Sequence, residues 1–226
     1  MRVCKMIEQS ITDYLDQLQS KEGLPGGGSA TAIIGAMSSA LSHMVSDIQK
    51  DKKNFQAYKN DLEEILREAK KIRARFEVLS EEDAMAFEPV SKAYKLPKET
   101  DEQNRNRQEA IESGLKGAVQ PPLEMMKETL KLIDLYKELR KIDIKGSIVN
   151  DIAVGILFAK TTLQSAYLNV LVNTDFIKNE SIKLELEGLG NAYLVQGEVK
   201  ADQIYADTKY YLVHKKWPVL GERGVK

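Results

Sequence analysis

The stretch "LPGGGSATAIIGAMSSALSHMV", Leu24 to Val45, decides how this chain folds. Three glycines follow a proline, and the small and apolar residues after them include no Asp, Glu, Lys or Arg. A membrane span needs about 20 residues, so length alone permits one. Content argues against it: four serines, a threonine, a histidine and four glycines sit among weakly apolar alanines, and polar groups in lipid need partners. A phosphate loop is equally poorly supported. No lysine follows the glycines as in G-x-x-x-x-G-K-[ST], and no strand precedes them as a dinucleotide site requires. What remains is a helix that starts near Gly27 to Ser29 and runs to about Lys50. Its glycine-rich entry offers unpaired N–H groups at the positive end of the dipole, which suits a carboxylate or phosphate; a tight turn that permits close packing explains the glycines equally well.

Outward from this stretch the chain reads as helix after helix. Before it, Met6, Ile7, Ile11, Tyr14, Leu15 and Leu18 recur at the helical period. After it, Asn54 to Leu79 carries an apolar face of Phe55, Tyr58, Leu62, Ile65, Leu66, Ala69, Ile72 and Phe76. Ser80-Glu81-Glu82-Asp83 has the pattern of an N-cap box opening a separate short helix to about Tyr94. Pro97 sits in a polar loop, helix resumes from about Glu102 to Ala118, and Pro121-Pro122 starts a segment ending near Arg140. Ser147 to Asp175 is long and mostly apolar, with Asp151 and Lys160 its only interior charges. A helical tail runs from about Ser181 to Tyr211. No strand alternation and no repeat is evident, so the expected fold is an all-α bundle. Two helices lack a polar face, Gly28 to Val45 and Ile148 to Val172. Such helices must be surrounded, which places them at the centre and, with more apolar surface than one chain covers, predicts a homo-oligomer.

With 226 residues the chain can bury a sizeable core. No Pro, Gly or Ser-rich linker divides it, so it is read as one domain over 1–226, with 179–226 a C-terminal helical extension. Hydrophobic residues at 42%, charged residues at 30% and aromatics at 7% suit a helical protein. Lys+Arg 33 against Asp+Glu 34 leaves a net charge of -1, without the basic excess that nucleic acid demands. No membrane partner is expected. Cys4 is the lone cysteine, which excludes an internal disulfide and fits a reducing cytoplasm. The opening residues alternate charged and apolar groups too early for a signal-peptide core.

Few residues offer chemistry. His43, His214 and Cys4 have no carboxylates at ligand spacing beside them, so no metal is expected. His43 reads as a partly buried or interface histidine. No Ser/His/Asp or Cys/His arrangement supports nucleophilic catalysis. Asp151 stands in a nearly uncharged run, where a buried carboxylate needs a partner or a shifted pKa. Asn169 and Asn173 share a helix face, and Asp151 lies five turns before Asn169 on that same face. At 1.5 Å per residue their separation is roughly 27 Å, so a joint site would need a second subunit. A structural role explains all three as well: Asp151 tying a neighbouring helix, the asparagines bridging to backbone.

Several segments in order resemble the cyclodeaminase/cyclohydrolase family, which includes the cyclodeaminase domain of formiminotransferase-cyclodeaminase and methenyltetrahydrofolate cyclohydrolases. They are "PGGGSATAIIGAMSSALSHMV" (Pro25 to Val45), "DAMAFEPVSKAYKLPKET" (Asp83 to Thr100), Arg107, "AVQPPL" (Ala118 to Leu123), "NDIAVG" (Asn150 to Gly155) and "AYLNVLVN" (Ala166 to Asn173). The resemblance covers about residues 5 to 178. It implies an all-α fold that dimerises and a folate one-carbon substrate, with no metal and no cofactor beyond that tetrahydrofolate. Two chemistries are implied: hydrolysis of 5,10-methenyl- to 10-formyltetrahydrofolate, or closure of 5-formiminotetrahydrofolate with loss of ammonia. The first is favoured because no formiminotransferase domain is attached; a member with altered or lost catalysis that acts as a ligand-binding module is the further alternative.

Carried over residue by residue, the resemblance makes Asp151 the group that pairs with the cationic pterin or manages the proton. Asp83 also matches a family aspartate, although an N-cap box would make it structural. Lys52 and Arg107 match positions suited to a tail carboxylate, Asn169 and Asn173 to pterin or tail amides, and Pro25, Gly26, Gly27, Gly28 and Ser29 to a substrate cradle. The chain departs from the pattern at Gln49-Lys50-Asp51, where the family has T-x-G, at Ile144-Lys145, at Asn150 and at Lys160, where relatives often carry a glutamate. These departures cluster around the presumed site.

Overall fold

The computed structural model describes residues 9–21 and 25–219, so the expected helix start at Met6 and Ile7, and Cys4, lie outside the described residues. Seven helices follow one another: α1 (Ile11–Leu18), α2 (Gly27–Lys50), α3 (Lys59–Tyr94), α4 (Asp101–Ala118), α5 (Gln120–Lys141), α6 (Val149–Thr174) and α7 (Glu180–His214), with a 3-10 turn at Lys53–Tyr58 before α3. The all-α multi-helix bundle expected from periodicity is what forms. No described helix is long and apolar enough to cross a membrane.

Local chemistry sets most of the ends. The Ser10 hydroxyl caps α1 by accepting from the Asp13 N–H. Thr100 and Gln103 close a reciprocal capping box on α4, and Pro121 and Pro122 occupy the first turn of α5, where their missing N–H groups cost nothing. One boundary differs from the sequence reading. α3 runs unbroken through Ser80 for 36 residues, so no cap opens a second helix there. The Ser80 hydroxyl is fully buried and shares a 2.7 Å hydrogen bond with Ser29 on α2, a long-range partner that replaces the expected capping role. Pro89 is also accommodated inside α3, at the loss of one helical hydrogen bond.

α2 packs against α3 on one side and α6 on another. Its small residues let those helices come close: a Cβ at Gly35 would meet the Phe76 ring at 2.7 Å, and one at Gly155 of α6 would overlap the Tyr136 hydroxyl of α5. Its serines bond the neighbours' backbones. Ser38 donates to the Gly155 carbonyl at 2.7 Å, Ser39 donates to the Ala69 carbonyl at 2.6 Å, and Tyr136 donates to the Ser38 carbonyl at 2.6 Å. Each such bond contributes about 1 kcal/mol, whereas the buried Ser42 hydroxyl on the same helix has no partner. The core around this crossing holds Phe76, Leu79, Met125, Ile133, Ile152 and Leu163, all at or below 2% exposure. The chain does not cover both apolar helices completely: Met37 and Ile48 on α2 and Leu157, Leu168 and Val172 on α6 remain 41–66% exposed.

Candidate functional site

The glycine entry of α2 opens into a pocket of about 190 Å³, lined by Gly26, Gly27, Gly28, Asp83, Phe87, Ala118, Asn169, Val172 and Asn173. Gly26 caps α2 without a side chain, and the helix ladder begins only with the Ala30 N–H on the Gly26 carbonyl at 3.1 Å. The N–H groups of Gly27 and Gly28 therefore stand outside the ladder, at the positive end of a 24-residue helix. Asp83, in the middle of α3, lies against Gly28 so closely that a Cβ there would overlap its carboxylate. This close approach is what the third glycine permits. Burial pushes the Asp83 carboxyl up from 3.8 to about 6, opposed by a hydrogen bond from the Ser29 backbone N–H. Desolvation wins, and Asp83 titrates close to neutral pH.

The two asparagines line the same pocket from α6. Asn169 donates to the Ser165 carbonyl at 2.8 Å and Asn173 to the Ala118 carbonyl at 2.9 Å, which holds both amides at the pocket wall. Behind the pocket, Tyr14 on α1 shares a 3.1 Å hydrogen bond with Ser29, which continues to Ser80. This chain of hydroxyls ties α1, α2 and α3 around Asp83. Pro25 is buried beside the glycines.

The remaining sequence candidates lie elsewhere in the chain. Asp151 sits in the first turn of α6, half-buried and close enough to Tyr136 for its charge to add to the burial that raises that phenol's pKa. Along α6 it is roughly 27 Å from Asn169. Lys52 lines a second cavity of about 350 Å³ with Gln49, Asn54, Phe55, Tyr58, Ile142, Asp143 and Lys145. There the Gln49 side-chain amide is 1% exposed and its N–H₂ has no partner, so this cavity holds an unfilled donor. Arg107 is exposed to neither cavity: its guanidinium donates to the Tyr94 carbonyl at 3.4 Å and lies 5.5 Å above the Tyr94 ring. Lys160, the unusual charge of α6, pairs with Asp202 of α7 at 2.6 Å. Among the described residues no group of histidine, cysteine and acidic side chains could hold a metal ion.

Phe87 and Val172 were not singled out from the sequence. A signal for Phe87 existed, since it follows Asp83 by one helical turn. Gln49 and Lys145 stand out in the sequence as departures from the family pattern, whereas Asn54 carries no such signal; packing brings the end of α2 beside the loop before α6.

In this all-α bundle the open N-terminus of α2 stands beside a desolvated carboxyl, without the lysine of a phosphate loop. Residues 10–188 match the family model described as formiminotransferase-cyclodeaminase, and the chain belongs to that family. A methenyltetrahydrofolate cyclohydrolase of Methylorubrum extorquens is 35% identical over 208 residues, covering 89% of this chain and 96% of the relative. The formimidoyltransferase-cyclodeaminases of Sus scrofa and Rattus norvegicus are 27% identical, and this chain spans only 36% and 38% of their lengths. A formiminotetrahydrofolate cyclodeaminase from Thermotoga maritima shares the fold, with a TM-score of 0.76 at 22% identity over 92% of this chain and 98% of that one.

Proposed function

We propose that the glycine pocket binds a one-carbon derivative of tetrahydrofolate and works on the carbon carried between N5 and N10. The observation that carries this reading is Asp83: a carboxyl raised to about 6 that accepts from the Ser29 N–H and lies against Gly28 at the open start of α2. In ring closure, N10 attacks the carbon of the protonated formimino group, N5–CH=NH2+, and the bond from that carbon to the terminal nitrogen breaks, which leaves the positive charge on the methenyl product. The proton lost by N10 passes to the Asp83 carboxylate and from there to the departing ammonia. A group titrating near the working pH is suited to both transfers.

Closure with release of ammonia is the reading we take, supported by the family description and by the cyclodeaminase names of the Sus scrofa and Rattus norvegicus relatives. Hydrolysis of the methenyl form is a second reading, favoured by the cyclohydrolase relative whose length the chain matches at 96%. It uses the same residue: Asp83 takes a proton from the attacking water and returns it to N5 as the carbon–N5 bond breaks, while the remaining hydroxyl proton leaves to solvent as the formyl carbonyl forms on N10.

The same proposal makes the protein a homodimer. The exposed apolar face of α2 and α6 supports this, as does the distance between Asp83 and Asp151, which a second subunit would close. In that assembly Asp151 of one chain faces the pterin held by the partner's glycine pocket. Lys52 would take a tail carboxylate. Arg107, already held by Tyr94, is given no role. Residues 1–226 are read as one domain, supported by α7, which reaches past the family match and packs on α5 and α6.

The deciding experiment supplies purified protein with 5-formiminotetrahydrofolate and with 5,10-methenyltetrahydrofolate while following methenyl absorbance and ammonia. Ammonia appearing together with methenyl absorbance establishes closure. Loss of absorbance without ammonia establishes hydrolysis, and neither signal refutes the folate reading.

A further inference from the structure

The segment after α7 does not trail away from the bundle. Lys215 adopts a left-handed conformation, φ 58°, as the C-cap of α7, which turns the chain back and brings Trp217 onto the end of α5. The Arg140 guanidinium lies 4.3 Å from the Trp217 ring centroid, donates to the Pro218 carbonyl at 2.8 Å and pairs with Asp207 of α7 at 2.9 Å. Arg140 and Asp207 are each 5% exposed, so this is a fully engaged buried pair. The Tyr211 ring stacks on Trp217 at 4.8 Å.

This assembly grips the loop between α5 and α6 at two places. The Trp217 indole N–H donates to the Ile144 carbonyl at 2.7 Å, and the Gly146 N–H donates to the Tyr211 hydroxyl at 2.7 Å. Between the two grips stands Lys145, which with Asp143 lines the Lys52 cavity. The loop is not a conformation the chain adopts readily: Asp143 and Gly146 have φ of 55° and 93°. A non-glycine residue at positive φ persists only where its surroundings hold it. The far wall of that cavity carries the unpartnered Gln49 amide.

We propose that Trp217, Tyr211 and Arg140 form a C-terminal clasp whose function is to position Lys145 and Asp143 for ligand binding in the Lys52 cavity. Trp217 is a positioning residue: it touches no ligand and acts through the backbone on either side of Lys145. Lys145 pairs with Asp143 at 3.3 Å beside the cavity, and Lys52 and Asn54 line the same space, which fits an anionic ligand oxygen that takes Lys145 over from Asp143. The assignment of that ligand as the acidic tail of a folate rests on the functional reading above; the clasp itself does not.

The test uses the full chain and its variants Trp217→Phe, Lys145→Ala and the double substitution. Phenylalanine keeps an aromatic ring beside Arg140 while removing the indole N–H and one fused ring; the residue lies at the end of the described chain, outside the central core, so the fold is expected to be retained. Two measurements follow. Hydrogen exchange at the Gly146 amide is expected to speed up at least tenfold in Trp217→Phe while the core of α5 stays protected, because only a local opening is made easier. Calorimetric binding of 5-formyltetrahydrofolate is expected to weaken roughly 3- to 10-fold in each single variant, the range for one lost positioned contact. The double variant is expected to be no weaker than Lys145→Ala, since Trp217 acts through Lys145. Unchanged exchange at Gly146 overturns the clasp. Unchanged affinity in Trp217→Phe, or additive losses in the double variant, overturns its positioning role even where the loop has loosened. If the wild type binds no folate while Gly146 exchange still speeds up in Trp217→Phe, the functional reading fails and the clasp stands.

Discussion

Asp83, buried beside Gly28, bears on stability and, on the proposed mechanism, on chemistry. Its folded pKa of about 6 exceeds the ordinary 3.8, so the folded protein holds a proton that the unfolded chain has already released. Its contribution to stability is therefore complete below about pH 4 and lost as pH rises through 6. Asp83→Asn removes that loss. The variant is expected to gain about 1–2 kcal/mol above pH 7, after discounting for partial solvent contact, and nothing below pH 4; thermal melts across pH 3–8 check the sign. On the proposed mechanism the same variant loses roughly 100-fold or more in turnover. Gly28→Ala tests the close approach differently. The new methyl displaces a flexible carboxylate rather than backbone, so stability is expected to fall by no more than about 1 kcal/mol while activity drops at least tenfold. A variant that loses stability and keeps activity in proportion to folded protein would make this approach a packing feature.

At the level of elements, α2 is legible because composition and period agree over most of its length: small residues, no charges before Asp47, glycines at its start. α4, α5 and α6 are legible for similar reasons, and their bounds fall within two or three residues of the sequence reading. α3 is not. Ser80-Glu81-Glu82-Asp83 is a sound capping pattern, and only the buried Ser29 hydroxyl explains why Ser80 stays inside a helix. A serine at a cap and a serine bonded across to another helix look identical in one dimension. The α5–α6 contact gives a prediction of its own. Gly155→Ala drives a methyl into the Tyr136 hydroxyl and is expected to cost about 1–3 kcal/mol by overpacking. Denaturant unfolding should find part of that cost relieved in a Tyr136→Phe background, because the colliding oxygen is gone.

For the whole molecule, the proposed function asks Asp151 to act with the Asp83 pocket although it lies roughly 27 Å along α6 from Asn169 in that pocket. The proposed dimer makes a sharp prediction. Asp83→Asn and Asp151→Asn should each be inactive alone, yet regain activity when mixed and allowed to exchange subunits. A mixed dimer then holds one site with both substitutions and one intact, so recovery is expected to approach about a quarter of the wild-type rate. No recovery in a mixture shown to contain mixed dimers would put both residues in one chain's site or remove one of them from it. Leu168→Glu, on the exposed α6 face, is expected to give a monomer in sedimentation, with the fold retained because that side chain is 61% exposed.

The sequence by itself determined the helices, their apolar faces and the family, because helical period and motif order are written in residues a few positions apart. It also placed Asn169 and Asn173 on one face, for the same reason. The tertiary structure decided the rest. It set Asp83 against Gly28, 55 positions away along the chain, separated Lys52 and Arg107 from that pocket, and joined Arg140 to the carbonyl of Pro218. Those pairings depend on how helices cross, and a crossing is settled by the packing of whole faces against one another. No local spacing records it, so a carboxylate that looked like a cap became the most perturbed acid of the candidate site.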